Sequence, residues 1–138
     1  MEAPSPLAAA VAKVGDRWTL LVVEALLDRP LRFGELQAAV PRIATSVLSQ
    51  RLKHLESEGV VTAEAYSQRP LRHTYALTAS GQELAGALRL LAGWGAEHGE
   101  DVAEVHHRLC GTALEAKWYC RTCDVSVDEP DADHLHYA

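Results

Sequence analysis

Residues 31–77 constrain this chain more tightly than any other stretch. They run LRFGELQ (31–37), TSVLSQRLKHLESEG (45–59), VVTAEA (60–65) and RHTYAL (72–77). The first two segments carry apolar residues at helical spacing, and the last two alternate as strands do. A short helix, a longer helix and a two-stranded ribbon tipped with arginines thus follow one another within a single short span.

The longer helix, expected over residues 45–58, indicates what this order serves. At about 100° per residue, Leu48, Leu52 and Leu55 share one narrow arc with Val47 on its shoulder. Ser46, Ser49, Gln50, Lys53, His54 and Ser57 occupy the other side, and Gly59 is placed to cap the C-terminus. Any solvated helix can show such a polar face. Its position between a short helix and a basic hairpin is what singles it out. Glutamine can pair bidentately with adenine, serine with several base edges, and cations with phosphates. The layout is that of a winged helix-turn-helix, which sets one helix in a major groove and a basic loop on the neighbouring backbone. The expected DNA-binding residues are Thr45, Ser46, Ser49, Gln50, Arg51, Lys53 and His54 on the helix, with Arg69 and Arg72 on the wing beside Pro70. Arg51 projects about 60° from the core arc, which suits either a phosphate or an internal ion pair.

A formal charge of −6 is unusual for a DNA binder, so its distribution matters. Residues 1–95 carry ten Lys/Arg against nine Asp/Glu, whereas residues 96–138 carry three against ten. The acidity belongs to the tail, and a locally basic face can still steer a protein to phosphates. With 48% hydrophobic and 23% charged residues in 138, one globular domain plus an appendage is expected. No run of about 18 apolar residues occurs and residues 7–14 lack a signal-peptide n-region, so a cytoplasmic location without a membrane partner is expected.

Around this core, residues 1–6 suggest a loose arm and residues 7–14 a helix broken by Gly15. Asp16 is a good N-cap for a helix over residues 17–27, whose apolar surface includes Trp18, Leu20, Leu21, Val23, Ala25 and Leu27. Phe33, Leu36 and Val40 mark a short helix ended by Pro41. After the hairpin, Thr78 is a candidate N-cap, and Ser80 to Glu83 matches a capping box. A long helix should then run to about His98, with Leu84, Leu88, Leu91 and Trp94 as a dimerisation stripe too large for one short domain to bury. Core packing alone is the competing account of that stripe. The fold class expected is mainly α with a small β wing: a winged helix-turn-helix and dimerisation domain over residues 1–98, and a small Cys/His-containing appendage over residues 99–138.

The motifs VGDRWTLL (14–21), RFGEL (32–36), VLSQRLKHLE (47–56), GVV (59–61), RPLRHTYALT (69–78) and WG (94–95) resemble the HxlR family of MarR-like winged-helix transcriptional regulators. The resemblance implies a homodimer on a pseudo-palindromic operator, more often a repressor than an activator. Several family members sense oxidants through a cysteine, followed by proline, just before the first helix. Aligning on Trp18 places Ser5 there, before Pro6, and serine forms no thiolate at physiological pH.

All three cysteines lie in the appendage, as HHRLC (106–110) and KWYCRTCDVSV (117–127). His107, Cys110, Cys120 and Cys123 form two pairs with two-residue gaps, a candidate Cys₃His structural Zn²⁺ site. Asp124 stands where zinc knuckles usually have glycine. A thiol pair open to oxidation and inert cysteines are the competing readings. His134 and His136 are additional candidate ligands, and residues 128–133 read as a flexible acidic stretch.

The function expected is a dimeric sequence-specific regulator, responsive to an effector or to redox state. A small-molecule effector has natural wall residues in Trp18 and Trp94, for which core packing is the rival role. The alternative is a winged-helix protein-interaction module with a zinc-stabilised tail. No nucleophile elbow, phosphate loop or carboxylate–histidine signature points to an enzyme.

Overall fold

The computed structural model describes residues 3–127. The histidines at 134 and 136 and the acidic stretch 128–133 lie outside the described residues. The chain divides into two compact units, Met1–Leu88 and Arg89–Ala138. They meet inside the last long helix, upstream of the boundary at 98/99 drawn from the sequence.

In the first unit, α1 (Pro6–Val14) starts on Ser5, whose Oγ accepts the Ala8 N–H at 3.1 Å. Pro6 occupies the first turn, where its missing N–H removes no intrahelical bond. Ser5, just before Pro6, thus serves as a helix cap. α2 (Arg17–Ala25) starts on Asp16, whose Oδ1 accepts N–H groups from Trp18 at 3.0 Å and Thr19 at 3.2 Å. Its buried face is Thr19, Val22, Val23 and Leu26, while Leu21 is exposed and Trp18, Leu20 and Ala25 only flank the core. This corrects the expected surface. The segment is apolar on nearly every side, so periodicity alone could not choose the face that packs.

β1 (Leu31–Arg32), a strand the sequence did not announce, precedes α3 (Phe33–Ala39). α4 (Thr45–Ser57) buries Leu48, Leu52 and Leu55 completely or nearly so. Gly59, at φ +71°, then turns the chain through the left-handed region, where a Cβ would be strained. β2 (Val61–Gln68) and β3 (Leu71–Leu77) form the hairpin, longer than expected because its turn shrinks to Arg69-Pro70. The sheet order is β1-β3-β2, all antiparallel. Tyr66 is the extra residue of a bulge, since Ala65 pairs with His73 and Ser67 with Arg72.

Thr78 caps α5 (Ala79–Gln82), accepting the Gly81 N–H at 3.1 Å while donating to the Gly59 carbonyl at 2.6 Å. The continuous helix expected beyond it is broken at Glu83, and α6 (Leu84–His98) follows. Glu83 joins the two as the C-cap of α5, so the Ser80–Glu83 match does not start a helix. The core draws on α2, α3, α4, β1 and the start of β2, with Leu84 and Leu88 packed at its margin. Each fully buried leucine contributes about 1.5–3 kcal/mol.

In the second unit, β4 (Trp118–Cys120) pairs antiparallel with β5 (Val125–Val127). Among the described residues, no helix is long and apolar enough to cross a membrane.

Candidate nucleic-acid interface

Burying the leucine arc of α4 against α2 turns its other side outward. Thr45, Ser46, Gln50 and Lys53 are exposed and Ser49 is half-buried. No side chain caps the first turn, because Ala44 occupies the N-cap. Its N–H groups and the positive end of the helix dipole therefore face outward, as anion binding requires. Thr45 Oγ1 accepts from Gln37 Nε2 at 2.8 Å, tying α3 to the start of α4.

Two expected contact residues have internal tasks. His54 Nε2 donates to the Lys13 carbonyl at 2.7 Å, and Lys13 Nζ donates to Glu58 Oε2 at 2.6 Å. The end of α1 is thereby strapped to the end of α4. Arg51 Nε lies 3.2 Å from Asp16 Oδ1, an ion pair without hydrogen-bond geometry, to an oxygen that also accepts two N–H groups of α2. Of the two roles open to Arg51 in the sequence, the structure displays the ion pair. The Lys13 hydrogen bond holds the Glu58 carboxyl below its usual range.

At the wing, Arg69, Pro70 and Arg72 are exposed, and Ser67 Oγ donates to the Pro70 carbonyl at 2.9 Å. Behind the tip lies a cleft of about 320 Å³ lined by Arg32, Phe33, Tyr66, Arg72, His73 and Tyr75, among others. The Arg32 guanidinium sits 4.5 Å from the centre of the Tyr66 ring. Burial raises the Tyr75 hydroxyl above its usual value, as does the Glu56 charge, so it remains a neutral donor near pH 7. Glu35 is held low chiefly by the Arg32 N–H, 2.8 Å from its Oε2, and then by Arg29.

Two further exposed arginines, Arg32 and Arg42, stand outside the contact set expected from the sequence. Arg42 is exposed in the turn leading into α4, with φ +69°, a left-handed conformation uncommon outside glycine. Its place between Pro41 and α4 is legible in the sequence. Arg32 could have been found from its place at the start of the short helix, across from the wing.

Residues 13–103 match the family model described as HxlR-like helix-turn-helix. The chain belongs to the HxlR-like family. It is 42% identical over 88 residues to the HTH-type transcriptional regulator YvaP of Bacillus subtilis, covering 64% of this chain and 82% of that protein. A MarR-family protein from Porphyromonas gingivalis superposes with a TM-score of 0.67 at 28% identity, over 72% of this chain and 97% of that one. The reduced form of the transcriptional regulator YodB from B. subtilis superposes with a TM-score of 0.59 at 30% identity, over 72% and 97%. This HxlR-like chain is accordingly a helix-turn-helix transcriptional regulator with the winged fold of its MarR-like neighbours.

The four candidate zinc ligands lie beyond the span of the HxlR-like match. His107 Nδ1 is 3.3 Å from Cys110 Sγ. Cys120 and Cys123 interact with each other, and all three thiols are free and exposed. Among the described residues, no three His, Cys, Asp or Glu side chains are gathered closely enough to hold a metal. The Thr112 hydroxyl and N–H, then His107, bring the Cys110 thiol down to about 7. Backbone N–H groups of Cys123 and Thr122 lower Cys120, which in turn raises Cys123. Of the dimerisation stripe, Leu84 and Leu88 are half-buried, whereas Leu91 and Trp94 stay exposed at 55% and 62%. Trp94 stacks on His98 with ring centres 4.6 Å apart, and Trp18 packs on the core.

Proposed function

We propose that this chain is a cytoplasmic, homodimeric repressor that reads a specific duplex operator with α4 and grips the backbone with its wing. The observation that carries this is the division of α4. Three leucines are sealed in the core, while Ser46, Gln50 and Lys53 are exposed on a helix whose start no side chain caps, and the hairpin that follows carries exposed arginines at its tip. In this reading Ser46, Ser49 and Gln50 meet base edges, Lys53, Arg42, Arg69 and Arg72 meet phosphates, and Thr45 holds the helix start to α3. Arg51 and His54 set the attitude of the helix.

Dimerisation is supported by Leu91 and Trp94, exposed apolar residues in the second half of α6, and by Leu7 and Val11, exposed on α1 at 72% and 55%. Large hydrophobic side chains left in water on either helix favour burial against a second copy. YodB has been solved in reduced and diamide-treated forms. Any oxidant response in this chain would run through Cys110, Cys120 or Cys123, because Ser5 is a capping hydroxyl.

Binding of the full chain to the upstream region of its own gene, measured against random duplex, tests the reading. Gln50→Ala should cost about 1–3 kcal/mol on the operator, roughly 5- to 150-fold in affinity, with little change on random DNA. Arg69→Ala should weaken both and lower the salt slope by about 1. A protein-interaction module would retard neither duplex, and equal losses on both for Gln50→Ala would remove its reading role.

A further inference from the structure

The second unit contains two hairpin turns of the same design. In the first, His106 bridges to Ala113, the Leu114 N–H donates to the Val105 carbonyl at 3.0 Å, and the Gly111 N–H returns to the His107 carbonyl at 2.7 Å. His107 and Cys110 sit in that turn, and Gly111 follows at φ +70°. In the second, Cys120 pairs with Val125 across the end of the ladder, and Cys123 is followed by Asp124 at φ +54°. The departure from glycine at Asp124 is therefore one of residue type only. The backbone takes the same left-handed step, which Asp tolerates better than most residues. The Asp124 carboxylate also accepts the Tyr119 hydroxyl, fixing that turn to its own strand.

Two donor atoms already converge within each turn. A tetrahedral zinc with a nitrogen ligand at about 2.0 Å and a sulfur ligand at about 2.3 Å separates those ligands by about 3.5 Å. His107 Nδ1 and Cys110 Sγ stand 3.3 Å apart. Main-chain N–H groups aim at sulfur in both turns, from Thr112 onto Cys110 and from Thr122 and Cys123 onto Cys120. Such donors hold a thiolate ligand in place. The neighbouring His106 is engaged elsewhere, its Nδ1 donating to the Glu104 carbonyl at 3.0 Å.

What these hairpins lack is a core. Residues 99–126 contain no buried or even half-buried side chain, and Leu109, Trp118, Tyr119 and Val125 are all exposed. An isolated two-stranded hairpin is marginal in water, and segments this small need a staple. We propose that the two turns close on one zinc ion bound by His107, Cys110, Cys120 and Cys123. Four protein ligands leave no open position, so the ion is structural. Thiolate and imidazole ligands favour zinc over magnesium or calcium. Closure brings the two pairs together, and the three thiols give up their protons to solvent as the metal enters.

The full chain, purified without chelator, should contain about one zinc per chain, and Cys110→Ser and Cys120→Ser should each abolish it. Cobalt(II) added to metal-free wild-type protein should give the intense visible bands of a tetrahedral thiolate site. Backbone amides of residues 105–127 should gain exchange protection on adding zinc. Melting of the winged helix, followed in parallel, reports whether each variant stays folded. Metal-free protein with a Cys120–Cys123 disulfide would overturn the proposal, as would an octahedral cobalt spectrum. Zinc kept by Cys110→Ser but lost by Cys120→Ser would overturn the four-ligand site. DNA binding plays no part in these readouts, so their failure leaves the regulator reading standing.

Discussion

Replacing Asp16 tests how α2 is capped and α4 is held against it. Its carboxylate caps α2 through two N–H groups at 3.0 and 3.2 Å and also faces Arg51 of α4 at 3.2 Å. Losing an N-cap to alanine costs about 0.5–2 kcal/mol. The ion pair is open to solvent, with side chains 32% and 39% exposed, so screening limits its share to about 0.2–1 kcal/mol. Asp16→Ala should therefore destabilise by about 1–3 kcal/mol, and in a domain of this size each kcal/mol lowers Tm by about 4–8 °C. Asparagine caps as well as aspartate but carries no charge. Asp16→Asn should thus lose only the ionic part, no more than about 1 kcal/mol, and that loss should shrink in about 1 M salt. Thermal melts of both variants at low and high salt decide the matter. If Asp16→Asn proves as damaging as Asp16→Ala at every salt concentration, the cap is not what Asp16 supplies.

Leu91→Glu places a charge on the exposed stripe of α6; if the proposed dimer forms through it, light scattering should find single chains of 15.0 kDa, with the first unit still melting cooperatively. Gly81→Ala would set a Cβ 2.3 Å from the Val60 carbonyl oxygen, a backbone atom that cannot yield cheaply, so Tm should fall although alanine is the better helix former. Glu58 should titrate below an ordinary glutamate by NMR, and Lys13→Ala should raise it. Because the folded value is depressed, the stability this pair adds is complete above the ordinary carboxylate range. It fades as pH falls through the folded value, so wild type and Lys13→Ala should converge in acid.

What was legible in the sequence was what repeats locally. The leucine arc of α4, the Asp16 and Thr78 caps and the alternation of the hairpin depend on neighbours a few residues away, and each appears where periodicity placed it. The packed face of α2 was not legible, because a helix apolar on nearly every side leaves the choice to its partners. Nor were the partners of Arg51 and His54, which come from Asp16 and Lys13, distant in sequence. The left-handed turn at Asp124 was masked by residue type.

These non-local contacts separate the polar residues of α4 into two sets with different consequences. Arg51 and His54 are backed by Asp16 and Lys13, so they orient the helix as a rigid rod against α2 and α1. Among the described residues, Ser46, Gln50 and Lys53 show no internal partner and keep their hydrogen-bonding capacity for a ligand. On the proposed reading, a change in the first set should tilt all of α4 at once and weaken cognate and random duplex while lowering Tm. A change at Ser46 or Gln50 leaves Tm alone and alters only which base pairs are preferred. His54→Ala is the sharpest member of the first set, because removing the ring leaves the Lys13 carbonyl without its donor and slackens the strap between α1 and α4. If His54→Ala changed sequence preference while melting like wild type, the ring would be reading DNA after all, and the division of the helix would have to be redrawn.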